Sequence, residues 1–167
     1  VCDTALYYNP DNRQIRQSQG MALYMTKNYL KADTVYSDLL AEGDSSFINL
    51  KYAGASRYMS GHAIDAVEPL ELAYEIDSTD VETVLLYGAT LGKTYDRKRA
   101  YQLFDQAEEC MKPKKFYVNL LVSFRGSTLE RDGRFNEAEK VYYEAWKKDP
   151  TQLNLLYEIN KHYWLRE

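Results

Sequence analysis

One short segment of this 167-residue chain resembles a known chemical motif. Residues 88–94, with the sequence GATLGKT, look like a phosphate-binding loop. That loop requires four residues between its two glycines and a strand before it. Here three residues separate Gly88 from Gly92, and no strand pattern precedes them. We therefore do not expect the chain to bind a nucleotide.

Histidine and cysteine, the residue types most often used in metal binding and nucleophilic catalysis, are sparse. The two histidines, His62 and His162, are 100 residues apart, and neither has a Cys, Asp or Glu at a recurring metal-ligand spacing. The two cysteines, Cys2 and Cys110, form no CxxC pair and no disulfide framework. We expect no metal site, no cofactor and no catalytic site, and hence a protein that is not an enzyme.

The composition indicates one globular domain, since 45% of the residues are hydrophobic and 28% are charged. The formal net charge of -4 argues against a nucleic-acid partner, which normally requires a basic surface. No apolar run approaches the roughly 20 residues that span a bilayer, so we expect no membrane insertion. Sixteen tyrosines with only 8 glycines and 4 prolines favour helices joined by short turns.

Small residues recur along the chain at a fixed period. Gly20, Gly54 and Gly88 stand 34 residues apart, and Gly126 follows after 38. An Ala-x3-large pair accompanies each glycine at a constant distance. These pairs are Ala32–Tyr36, Ala66–Leu70, Ala100–Phe104 and Ala138–Tyr142. The period predicts four repeats, with the four additional residues in a longer turn near Pro113.

The pattern resembles the tetratricopeptide repeat (TPR) family, and residues 133–150, GRFNEAEKVYYEAWKKDP, are the best copy. The resemblance implies an all-α, right-handed α-α superhelix of about four helix pairs, in which stacked repeats share a continuous core. One departure is the family's first-helix tryptophan. Its places hold Arg16, Leu50, Val84 and Val122.

The register predicts a single domain over residues 1–167, with repeats at about 13–46, 47–80, 81–118 and 119–152. A partial helix at 1–8 and a terminal helix at 152–165 flank them. Because residues 1–10 match the end of a repeat, we expect the chain to be part of a longer protein. Pro69 falls inside the predicted helix 63–76, where it would kink the helix unless it lies in the first turn.

The resemblance also implies that the first helices of successive repeats line a concave groove that binds a protein or peptide. The expected groove residues are Met21, Tyr24, Met25, Ile48, Tyr52, Tyr58, Met59, Leu86 and Phe124. Tyrosine is favoured among them because its ring can face a partner while its hydroxyl stays hydrated. The Lys-Asn-Asn-Lys-Arg clamp of some co-chaperone TPR domains is absent from the matching positions, so we do not expect binding of chaperone tails.

A second hypothesis is a structural module that associates with itself or with the rest of a longer chain through the ends of the solenoid. Leu156, Tyr163 and Trp164 in the terminal helix would then form the interface of a homo-oligomer.

Overall fold

Pairs of helices joined by short turns build the part of the chain that the computed structural model describes. This part comprises Asn9, residues 12–111 and residues 117–164, except the side chains of residues 162–164. The predicted helix at 1–8 lies outside it. The helices are α1 (Arg13–Met25), α2 (Tyr29–Ala41), α3 (Phe47–Met59), α4 (Val67–Ile76), α5 (Val81–Lys93), α6 (Arg97–Cys110), α7 (Val118–Arg131), α8 (Phe135–Lys148) and α9 (Leu153–Trp164).

Local sequence signals set several helix ends. Asn12 caps α1, where its Oδ1 accepts a hydrogen bond from the Ile15 N–H at 3.0 Å. Asp80 and Asp96 cap α5 and α6 in the same way, each accepting from a backbone N–H at 2.9 Å. Such caps satisfy amides that have no partner within the helix.

The recurring glycines lie where the two helices of a repeat touch. A Cβ added to Gly20 would lie 2.8 Å from Tyr36 Cζ, and one added to Gly88 would lie 2.9 Å from Phe104 Cε1. Gly54 faces Leu70 and Gly126 faces Tyr142 in the same way. The paired alanines are fully buried; they are Ala32, Ala66, Ala100 and Ala138. The predicted all-α repeat superhelix is thus confirmed, with small residues at the helix contacts.

Arg16, which takes the place of the family's tryptophan in the first repeat, does not enter the core. Its Nη1 lies 2.6 Å from Glu42 Oε1, just after α2. The aliphatic part of an arginine can cover apolar surface while its charged end reaches a carboxylate. In this repeat an ion pair therefore joins the two helices at the position where the family has a tryptophan.

The helix α4 begins four residues later than the predicted 63–76, because residues 63–66 form turns. Pro69 is consequently the third residue of the helix. At this position the missing N–H would have had no partner within the helix, so the proline costs no helical hydrogen bond. It requires no kink.

The helix α5 is buried around its whole circumference. Every residue from Thr83 to Gly92 is buried, and the helix packs against α3, α4, α6 and α7. A surface helix normally buries one stripe and exposes the opposite side. The third repeat is therefore enclosed by its neighbours.

Candidate functional site

The residues expected to line the groove lie on α1, α3, α5 and α7, and we call the surface formed by these helices the first-helix face. Met25 and Met59 are exposed, at 64% and 44%. Tyr52, Tyr58 and Leu86 are buried, at 8%, 6% and 5%. The remaining positions are half-buried; they are Met21, Tyr24, Ile48 and Phe124.

Aromatic rings fill the middle of the first-helix face. Tyr58 of α3 contacts Phe124 of α7 edge to face, with ring centroids 5.7 Å apart, and thus bridges the second and fourth repeats. Tyr24 contacts Tyr52 in the same manner, at 5.1 Å. Tyr24 and Phe124 also pack against the buried cluster that contains Leu86. These rings cover α5 and leave little room for a partner at the centre of the face.

Gly92 explains how α7 comes so close to α5. The equivalent position holds Tyr24 in the first repeat and Tyr58 in the second. A Cβ at Gly92 would overlap Thr128 of α7. The sequence hinted at this contact only through the second glycine of GATLGKT, a segment that is helical through Lys93 and is not a phosphate-binding loop.

A buried ion-pair cluster lies at the amino-terminal end of α5. Lys51 of α3 is only 8% exposed, and its Nζ lies 2.8 Å from Asp80 Oδ2 and 2.9 Å from Glu82 Oε2. Burial by itself would lower the pKa of Lys51, but the bonds to the two carboxylates raise it above its usual value. Lys51 therefore stays protonated and ties the second repeat to the third.

The charge of this cluster acts on three tyrosines. Burial, and then the charge of Glu82, raises the pKa of Tyr24, Tyr52 and Tyr117 above the ordinary tyrosine value. The hydroxyls are consequently neutral at physiological pH. The cluster carries one negative charge in excess, because a single lysine faces two carboxylates.

The last residues of α1, α3, α5 and α7 form a row of exposed side chains at the opposite end of the face. These equivalent residues are Met25, Met59, Lys93 and Arg131, which we call the helix-end row. Lys93 Nζ lies 3.8 Å from the centroid of the Tyr58 ring. Partial burial of its ammonium group against this ring, and then the charge of Arg131, lowers the pKa of Lys93. Burial raises the pKa of Tyr58 to about 12, with Arg131 acting in the opposite direction.

Neither cation of the helix-end row forms an ion pair with any residue in the described ranges. Sequence reasoning placed the two methionines on the face but missed Lys93 and Arg131. The signal was present, because the steps of 34, 34 and 38 residues that relate the glycines also relate these four positions.

A separate cleft of about 760 Å³ opens between α6, α7 and α8. Arg125 lies at its wall and pairs with Asp105 at 2.9 Å and Glu108 at 3.0 Å. Other lining residues include Met111, Leu121, Val122, Lys140 and Val141. The lining combines apolar side chains with charged side chains of both signs.

Among the described residues, the others singled out from the sequence do not converge on a chemical site; Cys2 and the side chain of His162 lie outside the described part of the chain. His62 lies in the exposed turn after α3, with its Nδ1 3.0 Å from Ser60 Oγ. Across the described ranges, no group of His, Cys, Asp and Glu could hold a metal ion. None of the helices resolved in these ranges has the length and apolar character needed to cross a membrane.

The terminal helix α9 packs on the fourth repeat through Leu155, which is buried beside Leu129, Ala138 and Tyr142. Leu156, one of the three residues expected at a self-association interface, is half-buried. The side chains of Tyr163 and Trp164 lie outside the described residues.

Comparison with known proteins agrees with this architecture. No family model matches the chain. The chain is 29% identical over 132 residues to Tetratricopeptide repeat protein 14 of Mus musculus, a match that covers 75% of this chain and 17% of that protein. The chain thus spans about a sixth of the length of this relative.

Solved structures share the fold at low sequence identity. A tetratricopeptide repeat protein from Parabacteroides merdae superposes with a TM-score of 0.79 and 14% identity, covering 99% of this chain and 64% of that one. A thermophilic TPR protein of Thermus thermophilus gives a TM-score of 0.71 and 16% identity, covering 98% and 87%. The glycine and alanine register, the helix pairs and these likenesses together show that the chain has the tetratricopeptide repeat fold.

Proposed function

We propose that this chain is a protein-interaction scaffold that holds an extended protein or peptide segment along the margin of the first-helix face. The observation that carries the proposal is the exposure of Met25 and Met59 at the same position of neighbouring repeats. Both are large apolar side chains outside the core, and methionine adapts its shape to different partners. Tyr24, half-buried beside Met25, adds an aromatic surface with a polar hydroxyl.

The burial of Tyr52, Tyr58 and Leu86 supports the margin of the face as the binding site rather than its centre. A side chain that is less than a tenth exposed offers little area to a partner. In this proposal the three residues hold the shape of the face, and the partner contacts chiefly Met25 and Met59, together with the edges of the half-buried side chains that remain accessible at the margin. The half-buried positions are Met21, Tyr24, Ile48 and Phe124.

The test compares two double variants. Met25→Ala with Met59→Ala removes the two exposed methionines of the face. Leu30→Ala with Leu72→Ala removes two apolar residues of α2 and α4, which are 62% and 40% exposed. Ten-residue peptides selected from a random display library on the wild-type chain serve as ligands, and fluorescence anisotropy gives their affinities.

We expect the methionine variant to bind these peptides about tenfold more weakly, whereas the leucine variant binds them as the wild type does. Circular dichroism should be unchanged in both, because all four side chains are exposed. The proposal is wrong if the library yields no binding peptide, or if the two variants lose affinity equally.

Self-association through α9 is the second hypothesis. The mass of the chain in solution, measured with and without residues 152–167, distinguishes the two hypotheses. A dimer that dissociates on truncation would favour self-association over peptide binding.

A further inference from the structure

We infer that the partner segment carries carboxylates, which Lys93 and Arg131 of the helix-end row bind, next to apolar residues that contact Met25 and Met59. This inference rests on the proposed function and specifies the chemistry of the partner: an extended protein segment that is acidic toward one end and apolar toward the other.

The first argument is the environment of the two cations. Lys93 Nζ lies 3.8 Å from the centroid of the Tyr58 ring. Gly92, the residue before Lys93, packs against Thr128, which is one turn before Arg131. In keeping with this proximity, the charge of Arg131 acts, after burial, on the pKa of both Lys93 and Tyr58. The groups that influence Lys93 are its own burial and Arg131; no carboxylate of the described residues offsets them. This pairing stands out in a chain with 25 acidic and 21 basic residues. Two neighbouring cations without a counter-ion attract an anion.

The second argument concerns the helix dipoles. A cation at the carboxyl end of a helix is stabilised by the dipole of that helix, which accounts for Lys93 on α5 and for Arg131 on α7 separately. It does not account for their approach to each other, since their mutual repulsion opposes it. A carboxylate between them would remove the repulsion, and arginine binds carboxylates through two parallel hydrogen bonds.

The third argument is the order of apolar and charged residues along the helix-end row. Along the helix-end row the two methionines come from α1 and α3 and the two cations from α5 and α7. Neighbouring packed helices are about 8–10 Å apart, and an extended chain advances about 3.3 Å per residue, so one repeat corresponds to roughly three residues of a bound segment. The apolar and acidic parts of the partner should therefore lie about three to six residues apart.

The fourth argument is the charge at the other end of α5. Glu82 and Lys93 are separated by 11 residues of one helix, or about 16 Å. The Lys51 cluster at that end carries excess negative charge and repels an acidic segment. The two ends of α5 thus favour the same placement of the partner's carboxylates, beside Lys93 and Arg131. Along the helix-end row a nucleic acid would meet the two cations Lys93 and Arg131, flanked by methionines, whereas phosphate backbones are normally bound by a longer basic stripe.

The experiment uses two pools of fluorescein-labelled ten-residue peptides. Each peptide of the first pool has three apolar residues, a three-residue Gly-Ser spacer and four Asp or Glu residues, with a blocked carboxyl terminus. The second pool replaces Asp and Glu by Asn and Gln. Both are titrated with the wild-type chain, with Lys93→Gln/Arg131→Gln, and with Lys31→Gln/Lys98→Gln, which removes two cations from exposed positions of α2 and α6.

We expect the wild-type chain to bind the acidic pool about tenfold more tightly than the neutral pool, with affinity falling as salt is added. The Lys93→Gln/Arg131→Gln variant should lose this preference, and the Lys31→Gln/Lys98→Gln variant should keep it. In the wild type, the acidic pool should also raise the pKa of Lys93 as followed by NMR of the lysine side chains.

Equal binding of both pools, or a preference that survives in Lys93→Gln/Arg131→Gln, would overturn the inference. In that case weaker binding by Met25→Ala/Met59→Ala would leave the proposed function standing. Tighter binding of an oligo-dT strand than of the acidic pool would also overturn it in favour of a nucleic acid. Absence of binding by either pool and by library peptides would reject the proposed function together with the inference.

Discussion

Lys51 shows how a charged side chain is kept inside a helical repeat array. Its Nζ lies within 2.9 Å of two carboxylates at the start of α5, Asp80 and Glu82. Asp80 has a second role, because its side chain accepts hydrogen bonds from the Thr83 N–H at 2.9 Å and from the Thr83 hydroxyl at 2.7 Å. One carboxylate therefore caps α5 and binds the lysine of α3.

The charge of Asp80 should make stability depend on pH. Burial would raise the pKa of Asp80, but the hydrogen bonds from Lys51 and Thr83 outweigh burial and lower it. A lowered folded-state pKa means that the contribution is complete above the unfolded value near 4 and is lost as the pH falls through the folded value. Asp80→Asn keeps a capping oxygen, so we expect it to cost about 1.5–3 kcal/mol at pH 7 and much less near pH 2.

Urea unfolding at pH 7, 5, 3 and 2 measures this dependence. Glu137→Gln is the control, because Glu137 lies in an exposed pair with Arg134 and should change stability little at any pH. A constant difference between Asp80→Asn and the wild type at every pH would show that the charge of Asp80 is not what stabilises α5.

The turns between the helices of a repeat use one backbone geometry in three of the four repeats. Gly61 and Gly133 follow α3 and α7 with φ values of 95° and 73°, and Lys27 takes the equivalent place after α1 with φ 62°. Glycine adopts this left-handed region freely, whereas a residue with a Cβ is strained there. The first repeat therefore closes its turn at an energetic cost.

Replacing Lys27 by glycine should stabilise the chain. The relief of backbone strain is worth about 1 kcal/mol, since Lys27 is exposed and loses no burial. Thermal or urea unfolding should show the increase. Lys27→Ala keeps the strained Cβ and should give no gain, which distinguishes the backbone effect from removal of a positive charge. An equal gain in both variants would refute this explanation.

The helices were predictable from the sequence because the period of small residues reports contacts within one repeat. Gly20 faces Tyr36 and Gly88 faces Phe104 because each pair lies in a single helix hairpin, whose geometry is local. The beginning of α4 was missed because Pro69 fits both a helix interrupted at its centre and one that begins at Val67. Hydrophobic periodicity does not separate these alternatives.

The burial of Tyr52 and Tyr58 was not predictable by the same means, because it arises between repeats. Tyr58 is covered by Phe124, 66 positions further along the chain and two repeats away. This contact depends on how tightly the repeats wind around α5, and that depends on close approaches such as Gly92 to Thr128. The repeat register of the sequence shows which helix carries a residue. How tightly the repeats pack around α5 decides whether that residue is exposed to solvent or packs against another ring.

The enclosure of α5 by its neighbouring helices should be visible as slow amide hydrogen exchange. Because α5 is enclosed by α3, α4, α6 and α7, its amides should exchange only when the whole chain unfolds. The amides of α1, with Gly20 as its single buried residue, should exchange through local opening and therefore orders of magnitude faster. Native-state exchange read by NMR or mass spectrometry provides the test, and equal protection of α1 and α5 would contradict it.

The Tyr58–Phe124 contact has a consequence for rearranging the chain by recombination. In a solenoid each repeat normally contacts only the repeats next to it. One repeat can then be removed and the ends rejoined, because the new contact between its former neighbours resembles the contacts between the other adjacent repeats. Here the second and fourth repeats meet across the third. Excision of residues 81–118 would bring these two rings onto adjacent units and remove the helix that they cover, so we expect the shortened product to need new side chains at both positions.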